Sequence, residues 1–183
     1  MAKTLELAVG RGLDPWTAEL GADRAAYTNH VLRVLSFCDA LSGQTPGDPD
    51  GPSGRIEFLT AAIFHDLGVW TSNTFDYLAP SIQLAHQWLT DQRREDLIPL
   101  VSTMIDDHHK IRHATGSPPE VELFRRADTV DVTAGLRRFG MTRGDYRTVT
   151  RRYPDSGFRR RLAQLAVRRI RGHPFSPLPM VKW

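Results

Sequence analysis

The stretch Ile56-Glu57-Phe58-Leu59-Thr60-Ala61-Ala62-Ile63-Phe64-His65-Asp66-Leu67-Gly68 decides how the chain is read. Ile56, Phe58, Leu59, Ala61, Ala62, Ile63 and Phe64 make it apolar on nearly every side. The pattern predicts a fully buried helix over 56–67, closed by Gly68. A carboxylate at the end of such a helix is costly unless it is paired or bound to a cation. Asp66 stands there, directly after His65. Neighbours on a helix diverge by about 100°, so a cation between the two directions is within reach of both side chains.

Upstream, a helix is predicted over about 23–41, with an inward stripe of Tyr27, Val31, Val34, Leu35, Cys38 and Leu41. His30 lies beside Val31, one turn before Val34. Downstream, a helix over about 119–139 carries the stripe Phe124, Asp128, Val132 and Gly135. Further helices are predicted over about 80–91, 94–110 and 156–171, the last burying Phe158, Leu162, Leu165, Ala166 and Ile170. Asp14-Pro15 offers a cap followed by a first-turn proline. No segment alternates as a strand, and no internal repeat is visible. The expectation is an all-α fold, a compact helical bundle forming one domain over 1–183.

Two segments stand apart. Gln44–Gly54 has no apolar residue and reads as a surface loop, a candidate for mobility. The end of the chain, 173–183, holds Pro174, Pro177 and Pro179 and reads as a strap lying on the domain.

Bulk properties exclude several classes. The chain has 183 residues, 40% hydrophobic and 25% charged, as a globular domain does. No apolar run approaches the roughly 18–20 residues that span a bilayer, so no membrane partner is expected. The first residues lack the basic-then-apolar pattern of a secretory signal. Cys38 is the one cysteine, which excludes an internal disulfide and suits a reducing compartment, the cytoplasm. The net charge of +3 is unevenly spread, with arginines concentrated from Arg125-Arg126 through Arg159-Arg160-Arg161 to Arg171. Base-stacking aromatics are not interleaved among them. A solvated helix face is therefore expected, not a nucleic-acid interface. Composition leaves the oligomeric state open.

Taken singly, each polar residue on a buried stripe has an ordinary explanation. A lone buried histidine is more often a satisfied core residue than a ligand, and Asp128 could pair with Arg125 or Arg126. Together they offer two imidazoles and two carboxylates from separate helices. That donor set suits Mn, Fe, Co, Ni, Zn or Mg without choosing among them.

In order along the chain, Asn29-His30-Val31-Leu32, Ala61 to Gly68, and Arg126-Ala127-Asp128-Thr129-Val130-Asp131 resemble the HD-domain superfamily of metal-dependent phosphohydrolases. The likeness covers about 27–136, leaving 140–183 as a C-terminal helical extension and strap. It implies that His30, His65, Asp66 and Asp128 bind a divalent metal, and that Asp66 also orients the attacking water. It further implies that His108, and secondarily His109, serves catalysis, a second metal or the substrate phosphate. Lys110 and Arg125 would then meet phosphate as positive charges, and Asp131 would orient a ligand histidine from behind.

One departure bears on the number of metals. Where two-metal members carry a further histidine, this chain has Tyr77. His86, on a stripe with Ile82, Ala85 and Leu89, is the alternative second-metal ligand, two turns further on. One metal is expected in place of two, with Tyr77 facing substrate. The function implied is hydrolysis of a small phosphate ester such as a nucleotide. The alternatives are an HD-type di-iron oxygenase, which would need His86, and a non-catalytic binding module stabilised by metal.

Overall fold

In the computed structural model, residues 2–72, 76–112 and 116–172 are described. Ten α-helices are seen there, joined by short 3-10 turns and loops, and no strand occurs among the described residues. They are α1 (Ala2–Leu13), α2 (Thr17–Leu20), α3 (Arg24–Leu41), α4 (Ile56–Phe64), α5 (Gly68–Thr71), α6 (Leu78–Asp91), α7 (Ile98–Asp107), α8 (Pro119–Val132), α9 (Arg143–Arg152) and α10 (Phe158–Gly172). The all-α expectation holds. No helix among the described residues is long and apolar enough to cross a membrane.

Helix α3 organises the rest. It packs against α1, α4, α8, α9 and the start of α10, so it is buried well beyond its predicted stripe: Leu32, Arg33, Ser36, Phe37 and Asp39 are buried as well. Past the last helical residue, Leu41, Gly43 takes a φ of 77°, the left-handed conformation glycine adopts without a Cβ penalty. Helices α6 and α7 pack on each other and on α4, while α8 lies along α3. The segments that carry His30, His65, Asp66, His108 and Asp128 thereby meet in the interior.

Several predicted boundaries shift. The chain leaves the α-helix at Phe64, and the bonds from Leu67 N to Phe64 O and Val69 N to Asp66 O are of the tighter i to i+3 kind. Helix α7 begins at Ile98, behind a 3-10 turn over Glu95–Leu97, and stops at Asp107, so His108 and His109 sit in the turn beyond it. Helix α8 stops at Val132, not near 139. Ala134 and Gly135 both take positive φ, and Gly135 N bonds back to Val130 O. Asp14-Pro15 opens only a single 3-10 turn, Asp14–Trp16.

Helices α1 and α9 have no counterpart in the predicted elements. Leu5, Val9 and Leu13 of α1 are buried at four-residue spacing. Helix α9 buries only Val149, and is started by Thr142, whose Oγ1 accepts from Asp145 N. The Gln44–Gly54 loop is anchored instead of free. Buried Asp39 accepts from Gly47 N at 2.7 Å and Ser53 N at 2.8 Å, and Gly51, Pro52 and Ser53 are buried. The proposed strap at 173–183 lies outside the described residues.

Candidate metal centre

The site begins with which ring nitrogen each histidine has left over. His30 Nδ1 is 2.6 Å from Asp131 Oδ2, His65 Nδ1 is 2.9 Å from Ala62 O, and His108 Nδ1 is 2.6 Å from Ile105 O. Carboxylate and carbonyl oxygens accept, so each Nδ1 carries its hydrogen and donates. Each neutral ring then turns a lone pair outward on Nε2. The two i to i+3 carbonyl contacts are supplied locally, by the turn each histidine stands in.

These Nε2 atoms converge with two carboxylates. His30 Nε2 and His65 Nε2 are 2.9 Å apart. Asp66 Oδ2 lies 3.8 Å from the first and 3.6 Å from the second, and Asp128 Oδ1 lies 3.7 Å from both. His108 Nε2 approaches Asp66 Oδ1 at 3.4 Å. All five residues are essentially excluded from solvent. Asp66 Oδ1, His108 Nε2 and both Asp128 oxygens have no hydrogen-bond partner among the described residues. Buried acceptors left in this way carry a large desolvation cost, and beside them His30, His65 and Asp66 bring one ligand atom each within 4.8 Å of one another, a group that could hold a metal ion. Ligand bonds of about 2.0–2.2 Å put neighbouring donors roughly 3.0–3.5 Å apart, close to the spacing seen. The residues fit a metal.

Burial depresses the basicity of His65, but Asp66 and Asp128 outweigh it and raise the imidazole to about 9. Burial likewise opposes ionisation of Asp66, yet His65, His108 and His109 hold its carboxyl well below the usual range. Asp128 is lowered too, chiefly by His65 and His108 against its burial. The centre is built to hold its carboxylates charged.

Behind the donors stands Asp131, as the sequence suggested. Besides His30, it receives Arg33 Nε at 2.6 Å, Arg33 Nη2 at 2.8 Å and Arg159 Nη2 at 3.0 Å. Despite burial, His30 and Arg33 keep its carboxyl ionised far into acid. Phe158 stacks on the His30 ring, with centroids 3.9 Å apart and planes 14° apart. Arg33, Phe158 and Arg159 are site residues that the pattern reading missed. Arg33 left a signal, since an arginine between Leu32 and Val34 on a buried helix needs an internal partner.

A second group adjoins the first: Asp66, His108 and His109 also bring ligand atoms within 4.8 Å of one another. His109 Nε2 meets the Tyr77 hydroxyl at 2.7 Å, and its Nδ1 is 3.9 Å from Asp128 Oδ2. Burial and the neighbouring His108 push His109 down to about 4. Tyr77 is itself buried, and burial with the nearby Asp66 pushes its phenol well up. His109 is the partly exposed member, so the site opens on its side. Tyr77 is held there by Gly68, where a Cβ would lie 2.5 Å from Tyr77 O and 2.8 Å from Ser81 Oγ.

Three sequence assignments are corrected. His86 is not in the cluster: its Nε2 donates to Ser102 Oγ at 2.7 Å, because Ser102 spends its own hydrogen on Ile98 O. Arg125 is not available to substrate. It is only 2% exposed, forms two 2.8 Å bonds to Glu122, donates to Lys110 O and lies over Phe139. Lys110 is half-buried, and its Nζ is paired with Asp107 Oδ2 at 2.8 Å. The arginine-rich segment is also less solvated than expected, since Arg126 pairs with Glu122, Arg159 with Asp131, and Arg161 with Asp23.

No family model, curated protein or solved structure matches the chain.

Proposed function

We propose that this protein is a metal-dependent phosphohydrolase acting on a small phosphate ester, with His30, His65, Asp66 and Asp128 holding the ion. The observation that carries this reading is the convergence of four buried side chains on one place, where Asp66 Oδ1 and both Asp128 oxygens have no hydrogen-bond partner among the described residues. The order and context of the same four residues, which resemble the HD-domain superfamily, supply the reaction class.

A bound divalent cation supplies Lewis acidity, lowering the pKa of water and stabilising charge that develops on a phosphoryl oxygen. The remaining roles belong to the chain. Asp66 turns one oxygen toward His30 and His65 and the other toward His108, so it can orient a water beside the ion. His108, fixed through Ile105 O, points the Nε2 lone pair at that same place and can take up a proton there, and only then donate to a phosphoryl oxygen. Tyr77 fixes His109 at the open side. With Arg125 and Lys110 already paired, phosphate charge would be met chiefly by the ion, not by a basic patch.

One ion is the reading for the primary set. The adjoining Asp66–His108–His109 group supports a second reading, in which another ion binds there; the oxidative alternative, which calls for His86, is the weaker one because His86 is paired with Ser102. Metal content per chain separates the two. The hydrolytic reading is tested by phosphate release from a panel of phosphomonoesters and nucleotides, with Mn, Fe, Co, Ni, Zn or Mg added in turn. Turnover that Asp66→Asn abolishes supports it. No release with any metal, in protein shown to bind one, would leave a non-catalytic metal-stabilised module.

A further inference from the structure

We infer that the first turn of α10 belongs to the metal centre, with Phe158 and Arg159 acting as positioning residues for His30. This rests on the metal-site reading above, and concerns a segment that carries no ligand of its own.

A histidine ligand is aimed by what its other edge and its faces touch. The other edge of His30 is fixed by Asp131, and α10 reaches both this anchor and the ring. Arg159 donates through Nη2 to Asp131 Oδ1 at 3.0 Å and through Nε to the Asp131 backbone carbonyl at 2.9 Å. It therefore holds the carboxylate and the end of α8 at once. Phe158, fully buried, lies nearly parallel to the imidazole at 3.9 Å and blocks its rotation about the Cβ–Cγ bond. Tyr27 stands on the same ring at 6.1 Å, at a steeper angle. Arg33 already satisfies both Asp131 oxygens, so the second guanidinium is not needed merely to neutralise the charge. What it adds is a tether between α10 and the ligand's anchor.

The same helix continues to the opposite side of the site. Leu165 packs on Val69 and Tyr77, so α10 bridges the His30 side and the His109 side. The consequence is that ion retention depends on α10 as well as on the four ligand segments.

The test measures affinity for Co(II) and Mn(II) by competition against a chelator, with the Co(II) absorption spectrum as a second readout. The proteins are the unaltered chain, Phe158→Ala, Arg159→Ala, Arg159→Lys and Arg160→Ala. Changes behind a ligand typically weaken metal binding about 10–100-fold, and a loss in that range is expected for Phe158→Ala and Arg159→Ala, with a shifted Co(II) spectrum. Arg159→Lys should recover part of the affinity, and exposed Arg160→Ala should match the unaltered chain. Should Phe158→Ala fail to fold, Phe158→Leu keeps the bulk and removes the stacking face. Affinities within twofold of the unaltered chain in folded Phe158→Ala and Arg159→Ala overturn the inference alone. No ion bound by the unaltered chain overturns the metal reading and this inference with it.

Discussion

His30 Nε2 and His65 Nε2 face each other across 2.9 Å, with the hydrogen of each ring already spent on Asp131 and on Ala62 O. Two lone pairs cannot rest at that distance without a cation between them. In the metal-free protein a proton takes the place, because Asp66 and Asp128 lift His65 to about 9 despite its burial.

That arrangement makes the metal-free protein sensitive to alkali. An unfolded histidine titrates near 6.5, and His65 when folded holds its proton to about 9. The stabilisation from the charged form is complete below about 6.5 and is lost as pH rises through about 9. Thermal stability without metal should therefore fall between pH 6.5 and 9. Metal uptake should release a proton and strengthen over the same interval. Metal-free stability that stays level or climbs there would contradict the assignment.

Gly68 is expected to be intolerant of even one methyl group. A Cβ would meet the Tyr77 backbone oxygen at 2.5 Å, and backbone cannot swing aside as a side-chain tip can. Gly68→Ala should cost about 1–3 kcal/mol, the usual range for overpacking, and should disturb Tyr77 beside the centre. Denaturant unfolding reads the first effect. A midpoint indistinguishable from that of the unaltered chain would show that the α4–α5 turn is not locked against α6.

Arg125 separates a structural cation from a substrate-binding one. Removing one partner of a buried ion pair commonly costs about 3–5 kcal/mol, so Arg125→Ala should lose stability on that scale. KM should change little in whatever fraction stays folded. A large rise in KM with stability preserved would return Arg125 to the substrate.

Most of the helices, and the four residues proposed to hold the ion, were legible because periodicity and burial leave the same mark on sequence. Asp66 after an unbroken apolar run, and His30 and Asp128 on inward stripes, are polar groups where desolvation forbids them without a partner. Arg125 misled because a charge reads alike whether it meets a phosphate or a buried Glu122 on its own helix. His86 sits on an inward-looking stripe, but it is satisfied by Ser102, a pairing between helices that no single-helix pattern reports. The roles of Phe158 and Arg159 were hidden for the same reason: Phe158 reads as ordinary core, and Arg159 as one of a run of arginines. Helix α9 escaped notice because only Val149 among its residues is buried, too little to set a period.

The central claim is that His30, His65, Asp66 and Asp128 hold a divalent ion, and metal content tests it most directly. Protein purified without added metal should carry about one equivalent, by elemental analysis, of an ion that His65→Ala no longer retains. A folded His65→Ala variant that keeps its full complement, or an unaltered chain that binds none of the candidate metals, would contradict it.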